Sequence, residues 1–411
     1  MATPGRLPIF VIITTVTLDA MGVGLIMPVM PALLREVEGG SLAQAAIWGG
    51  IMSAAFAVMQ FLFGPVIGAL SDRWGRRPVL LISLLAMAAD YVIMALAGSL
   101  WLLLAGRILG GITAATHSTA NAYMADISAP HEKAQRFGLL MAGFGVGFVL
   151  GPILGGLLAE YGTRAPFWAA GALAFANAAL GFVVLQESLP RRRRRRFSWA
   201  RANPFGAFRA VARLAGVAPL LAVFFLFHVA TYVYPAVWAF FLTERFGWGE
   251  GTIGLSLGIY GLSYALAMAF LVQPAMARLG PRGTVIFGLG MECITLVLIA
   301  SLSDGRVLLA MIPIAALGSL AMPALQAAMS DSVSPSAQGE LQGLLTSVNA
   351  LAMACAPVLM TQTFAHFTAA SAPLYLPGTL FAGRRADGAV FGAVFGPAPG
   401  RAGAIAPRCG T

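Results

Sequence analysis

Four ionisable residues stand inside long apolar stretches of this chain. Asp19 lies in Leu18-Asp19-Ala-Met-Gly-Val-Gly-Leu-Ile-Met-Pro28, Asp90 precedes Tyr91, Arg107 opens Arg107-Ile-Leu-Gly110-Gly111, and Glu292 sits alone. A charge at the centre of a membrane helix costs about 2.5–3.5 kcal/mol or more, so a chain that keeps one normally points it at a cavity or a partner. A carboxylate in a low-dielectric site holds a proton more readily than one in water, which suits reversible proton binding. Two readings are open. Arg107 neutralises one of the acids in a buried ion pair, or the four groups together handle protons and a charged substrate.

A second set lies at a turn. Gly68-Ala-Leu-Ser71-Asp72-Arg73-Trp74-Gly75-Arg76-Arg77-Pro78 places an acid and three guanidinium groups between two apolar blocks. A paired charge at the mouth of a membrane can hold two helix ends in one conformation. A plain basic anchor would not require Asp72, Gly68, Gly75 and Pro78 at these spacings. A third set is Gly138, Gly147, Gly151-Pro152 and Gly155-Gly156. Glycines at such intervals flatten one helix face so that another backbone can approach, and Pro152 kinks the helix. The second half keeps only Gly343 and Pro357 of this pattern. Gln60, His117, Asn121, His228, Gln326 and Asn349 are candidates for lining a cavity, although a lone polar side chain on a membrane helix is more often interhelical glue.

The elements that must position these groups are apolar helices. Of the 411 residues, 59% are hydrophobic and 10% charged, and the mean hydropathy is +0.82. An average soluble domain carries about 25% charged residues. So few charges cannot cover a soluble surface, which excludes an ordinary cytosolic enzyme. A spanning helix needs about 20 apolar residues. Eleven such blocks are found: Leu7–Leu34, Ala46–Leu70, Pro78–Ala97, Leu100–Met124, Phe137–Ala159, Phe167–Leu185, Val217–Leu242, Ile253–Met276, Thr284–Leu302, Val307–Met329 and Leu341–Thr363. The first block has no small-residue cleavage site after it and reads as a spanning helix rather than a signal peptide.

The net charge of +10 invites a nucleic-acid partner, but six arginines form the single run Arg191–Arg196. The others are scattered, so no basic face follows a phosphate backbone and no nucleic acid is expected. The three cysteines and four histidines share no metal-ligand spacing, and neither a protein metal site nor a disulfide framework is expected. With the N-terminus in the cytoplasm, the loops on that side hold 17 Lys and Arg and those opposite hold 4, which predicts that orientation.

The halves repeat at an offset of 205. Met124-Ala-Asp126 recurs as Met329-Ser-Asp331, Pro130 as Pro335, Gly138-Leu-Leu as Gly343-Leu-Leu, and Pro152 as Pro357. Two units of the same topology imply a pseudo-two-fold axis along the membrane normal, with the site at their interface. The expected organisation is an N-terminal six-helix bundle over 1–186, an arginine-rich cytoplasmic linker over 187–216, a C-terminal bundle with five recognisable helices over 217–366, and an atypical tail over 367–411. The linker reads as a solvated connection, with an anionic-lipid patch as the alternative.

The turn around Asp72 resembles the signature loop of the major facilitator superfamily, and the glycine set resembles the motif of its proton-coupled drug antiporters. Together with Thr17-to-Pro31, Asp90-Tyr91, Arg107-to-Thr116 and Glu187-Ser-Leu-Pro190, these residues resemble the tetracycline efflux antiporters. The resemblance implies an all-α integral membrane protein with the major facilitator fold, two six-helix bundles related by pseudo-two-fold symmetry. It also implies a transporter of the bacterial inner membrane, not an enzyme. The partners it implies are a tetracycline-class drug, protons and the lipid bilayer. No cofactor is implied, although the drug can travel as a chelate of a divalent metal such as Mg2+. By the same resemblance Asp19 and Asp90 serve substrate and proton handling, Arg107 is the fourth-helix arginine, and Gly68, Asp72, Arg73, Gly75, Arg76 and Asp126 form the cytoplasmic gate. The ninth-helix acid of the family is typically aspartate. Glu292 keeps the charge with one more methylene, so coupling is expected to survive. The alternatives are a proton-coupled exporter of another amphiphilic drug and an inserted but inactive product.

The end of the chain is different. Pro377 to Thr411 hold 8 Gly, 8 Ala, 4 Pro and 4 Arg, and their longest uncharged run is the 13 residues Gly388 to Gly400. That run is too short and too rich in helix breakers to span. The expectation is a twelfth helix that is missing or degraded, through an altered reading frame after about Pro373.

Overall fold

A computed structural model describes residues 6–114, 116–129, 131–199, 203–205, 217–334 and 337–368. Among them are eleven helices long and apolar enough to cross a membrane, and no strand. Spans 1 to 6 are Leu7–Ile26, Leu42–Trp74, Arg76–Leu96, Leu100–Ile127, Gln135–Ala159 and Ala165–Val184. Spans 7 to 11 are Ala218–Phe246, Glu250–Phe270, Val272–Ser301, Gly305–Asp331 and Glu340–Thr368. Every expected block is a helix. The expected tail beyond Thr368, 200–202 and 206–216 of the linker, and the repeated Pro130 and Pro335 lie outside the described residues.

The helices break where the hydropathy does not. The first block ends at Ile26, and a separate short helix, Met30–Glu38, follows with Pro31 in its first turn. A proline lacks the N–H that would extend the preceding helix, so Pro28 and Pro31 divide the block. Span 4 divides at Ala114 into Leu100–Thr113 and Thr116–Ile127. Span 7 divides at Tyr232 into Ala218–Thr231 and Val233–Phe246, and span 10 passes through a 3-10 segment at Ala316–Leu320. The breaks recur at the offset of the sequence repeat: Met27 falls on Tyr232, and Ala114 on Ser319. Span 9 is also two helices joined at Gly280, whose φ of 69° ends the first before Pro281 starts the second.

Bilayer hydrocarbon offers no hydrophobic drive between helices, so close packing must come from small residues. Span 5 supplies them. A Cβ placed at Gly151 would lie 2.5 Å from the Met21 carbonyl oxygen and 2.9 Å from the Gly24 Cα. Gly147 meets Ala20 and Met21, and Gly155 meets the backbone of Leu25. These positions, four residues apart, form one stripe against span 1. Gly156 turns the other way: a Cβ there would lie 2.5 Å from the Glu250 carbonyl oxygen in span 8 of the other half. Gly254, Gly258 and Gly261 of span 8 receive Pro152, Ile153 and Val149 in return. Gly138 has no atom within 4 Å of its Cβ position, so this first residue of the motif stands outside the seam that the others build.

One apolar core joins the halves on the face away from the linker. It gathers Leu33, Leu34, Ala46 and Met52 with Phe240, Phe241, Leu242 and Phe364. Gly49 packs against the Phe240 ring and Gly50 against Thr361 and Pro357 of span 11. Toward the linker the cores are separate. Val11, Leu80, Tyr123, Leu140 and Leu185 form one within the first half, and Leu221, Phe224, Met329, Leu341 and Leu345 form another within the second. Nothing lies within 4 Å of a Cβ at Gly64 or Gly68, at the linker end of span 2. Among the described residues, apolar packing across the two halves is found on the face opposite the linker.

Gly151→Val forces a branched side chain into the span 1 backbone and should cost about 1–3 kcal/mol, read as a lowered melting temperature of the purified protein. Gly138→Ala should melt like wild type. Equal melting of both variants would mean that spans 1 and 5 separate without cost.

Candidate functional site

The four intramembrane charges divide between the halves. In the first, Asp90 of span 3 and Arg107 of span 4 form an ion pair with both partners buried. Span 4 admits it because Gly106 and Gly110 flank Arg107: a Cβ at either would fall on the Asp90 carboxylate, 2.9 Å from Oδ1 at Gly106 and 2.5 Å from Oδ2 at Gly110. The Arg107 guanidinium also stacks over the Phe56 ring of span 2, 5.3 Å from its centroid, a favourable placement for a desolvated cation. Oδ1 of Asp90 and Nε of Arg107 keep no partner. The pair is therefore the neutralised ion pair of the two sequence readings, and it involves no other of the four charges.

Asp19 stands nearby without an ion pair among the described residues. Span 1 turns Gly147's partners toward span 5 and its other faces toward spans 3 and 6. Gly22, one turn beyond Asp19, lies against the Tyr91 hydroxyl, and Thr15, one turn before, bonds Asn177 of span 6 at 3.2 Å. Tyr91, adjacent in sequence to Asp90, thus brings its hydroxyl to the turn of span 1 that follows Asp19. Glu292 is on the far side of the molecule's pseudo-axis, buried in span 9 against Gly318 of the span 10 3-10 segment. Tyr91, Phe56 and Gly318 are functional neighbours that sequence reasoning missed. Only Tyr91 carried a signal, its adjacency to Asp90.

The turn between spans 2 and 3 forms a compact network. Gly75 ends span 2 at φ 113°, a conformation that suits glycine alone. Arg76 then pairs with Asp72 at 2.7 Å and with Asp126 of span 4 at 3.3 Å, and its Nη1 donates to the Ser71 hydroxyl at 2.6 Å. The linker docks on the same turn. Glu187 accepts the Arg76 backbone N–H at 2.9 Å, an anion on the N-terminus of span 3. Ser188 donates to Asp126, and the Arg195 backbone N–H reaches the Asp72 carbonyl at 3.0 Å. Asp72, Gly75, Arg76 and Asp126 are thus brought together as expected. Gly68 contributes only its carbonyl, to Ser71. Arg73 is exposed and joins none of these bonds, a departure from its expected place in the gate that follows from its position on the outer face of the helix end. Glu187, the cap of span 3, was not legible in that role.

The expected cavity residues scatter. Gln60 donates to the Ala114 carbonyl at 3.3 Å, satisfying an acceptor freed by the break in span 4, which is a structural role. His117 meets the Phe144 ring edge-on and its Nδ1 has no partner. Asn121 is half-buried and Gln326 is exposed. His228 stacks on Phe224 at 4.3 Å, and Asn349 donates weakly to the Met353 sulfur at 3.8 Å.

Eleven apolar spans among the described residues, helix breaks that recur between the halves and charges buried within them fit a membrane transporter. The sequence pattern of the Major Facilitator Superfamily matches residues 12–236 and 220–400, and the chain belongs to that superfamily. It is similar to the tetracycline resistance protein, class C, of Escherichia coli, 44% identical over 87% of this chain and 89% of that protein. The class G protein of Vibrio anguillarum is 40% identical over 85% of this chain and 88% of its own. Among solved structures, a bacterial homologue of the human lysosomal transporter Spinster, in an inward-facing and unoccupied conformation, shares the fold. Its TM-score is 0.74 at 20% identity, over 90% of this chain and 84% of that one.

Two outcomes are expected. Arg107→Ala strands Asp90 in a buried site and should cost about 3–5 kcal/mol of stability; adding Asp90→Ala should restore part of it, and strictly additive losses in melting experiments would show that the two side chains do not depend on each other. Asp72→Asn should slow transport far more than it lowers the protein level in the membrane, whereas Arg73→Gln should transport near the wild-type rate. A wild-type rate for Asp72→Asn would reduce the turn to an anchor.

Proposed function

We propose that this protein exports tetracycline-class drugs across the bacterial inner membrane by alternating access, exchanging the drug for protons that flow inward. The observation that carries this reading is the 44% identity to a tetracycline resistance protein over 87% of the chain. The N-terminus, the Asp72 turn and the linker lie in the cytoplasm in this reading, supported by the excess of Lys and Arg in those loops. The linker end is then the cytoplasmic one, from which drug enters.

The residues divide the work by charge. The Asp90–Arg107 pair is close to neutral as a unit and shapes the first-half wall. Asp19 and Glu292 have no guanidinium partner among the described residues, so each must be neutralised by a proton or by a cationic ligand. A drug carried as its divalent-metal chelate is positively charged, and Mg2+ in that chelate is part of the substrate. Facing the cytoplasm, the acids give up protons and take the cation; facing outward, protons displace it. Competition for the same carboxylates couples the two flows. The linker end bound at Asp72, Arg76 and Asp126 ties the first-half gate to the chain that leads into the second half.

Proton-driven uptake of tetracycline into inverted vesicles tests the reading. Wild type should accumulate the drug and Asp19→Asn should not, with both proteins present in the membrane. Glu292→Asp should stay active and Glu292→Gln should lose most uptake. Uptake by Asp19→Asn at the wild-type rate removes that residue from coupling. If wild type moves other amphiphilic drugs but never tetracycline, the substrate assignment falls.

A further inference from the structure

We propose that Tyr234, Trp238 and Tyr260 form, with Glu292, an aromatic-walled subsite in the second half that takes the protonated tertiary amine of the exported drug. The proposal rests on the function proposed above and adds which chemical group of the substrate this half recognises.

Glu292 is 6% exposed, its Oε1 has no hydrogen-bond partner, and it joins no ion pair among the described residues. Its other side fills the space that a side chain at Gly318 would occupy, so the 3-10 segment of span 10 leaves a place for the carboxylate. The Tyr234 hydroxyl, on the second helix of span 7, is likewise buried and lies beside the Glu292 carboxyl group. A buried carboxylate that keeps one oxygen open in an otherwise apolar wall is costly unless something completes it.

The rings describe what that is. Tyr234 stacks on Tyr260 of span 8 with centroids 5.7 Å apart and planes 23° apart. Trp238 packs against Tyr234 at 5.6 Å, and its indole N–H is held by the Ser256 hydroxyl at 3.0 Å, which fixes the ring. Tyr264, one turn on from Tyr260 toward the linker end, continues the row at 6.4 Å and is 43% exposed. Aromatic faces thus lead from an exposed ring to the buried carboxylate. Such faces attract a cation within about 6 Å of their centroids, and methylated ammonium groups best match a cage of them. A proton alone would neutralise Glu292 but has no use for the rings. A bare divalent metal demands several oxygen ligands, and this wall offers one carboxylate and one phenol. A tertiary ammonium matches both features: its single N–H bonds the carboxylate and its methyl groups fill the aromatic wall. In the first half Asp90 is met by Arg107, which lies over Phe56, an internal version of the same cation, carboxylate and ring arrangement.

The test is binding of tetracycline, and of its analogue without the C4 dimethylamino group, to the purified full chain, followed by calorimetry. Wild type should bind the analogue about tenfold more weakly. Tyr260→Leu should weaken tetracycline about tenfold and scarcely change the analogue, and Tyr260→Phe, which restores a ring face, should recover most of the loss. Equal affinity of wild type for both compounds, or equal weakening of both by Tyr260→Leu, overturns the subsite. If Tyr260→Leu does not fold, wild type alone decides. Tetraphenylphosphonium, a permanent cation, should displace tetracycline but not the analogue, and failure to do so overturns the proposal. If wild type binds no tetracycline at all, the functional reading falls. The subsite is then judged by whether Glu292→Gln abolishes tetraphenylphosphonium binding, as expected, or leaves it at the wild-type affinity, which refutes it.

Discussion

Span 5 has no charged or polar side chain between Phe137 and Ala159, yet the molecule is held together through it. In hydrocarbon two helices gain little by hiding apolar surface from each other, so their association depends on how closely the backbones approach. Gly147, Gly151 and Gly155 let span 5 lie on span 1, and Gly156 lets it lie on span 8 of the other half. The same contact fixes the rotation of span 1. With one face pressed on span 5, the turn holding Asp19 is left toward Tyr91 and span 3. Pro152 serves both neighbours, since it meets Gly24 on one side and Gly254 on the other.

Within that frame the buried acids are treated differently. Asp90 is answered by Arg107 from within the fold, and the glycines on either side of Arg107 are what permit the contact. Glu292 receives no cation from the described residues and lies beside the Tyr234 hydroxyl and Gly318. A charge completed internally stays where it is through a transport cycle. A carboxylate left incomplete must be neutralised from outside the fold, and Asp19 and Glu292 differ from Asp90 in that respect.

The two ends of the bundle differ as strongly. Opposite the linker, Phe240, Phe241 and Phe364 of the second half pack with Leu33, Leu34 and Met52 of the first. Toward the linker each half closes on its own core, and the polar network at Asp72, Arg76, Asp126 and Glu187 belongs to the first half and the linker. A seam of rigid backbone contact between spans 5 and 8, with an apolar seal at one end only, is a pivot about which two units can rock.

Local chemistry settled much of this in advance. Hydropathy placed all eleven spans, because the length of an apolar block depends only on neighbours in the chain. Gly75 and the glycine stripe of span 5 were legible for a similar reason, as a left-handed turn and a flat helix face are properties of a few consecutive residues. The helix breaks at Tyr232 and within Ala316–Leu320 were not, since hydropathy is blind to backbone hydrogen bonding and the freed carbonyls are satisfied by distant groups, as Gln60 satisfies Ala114. Membership of a motif also did not guarantee a role in the fold. Gly138 and Arg73 fit their patterns, but the fold leaves one without a neighbour and the other on the surface. The choice of Asp90 over Asp19 as the partner of Arg107, the seat of Glu187 on span 3, and the stack of Tyr234 on Tyr260 beside Glu292 were decided by tertiary structure alone. Each joins residues from different helices, and which faces of two helices meet depends on the packing of the whole bundle.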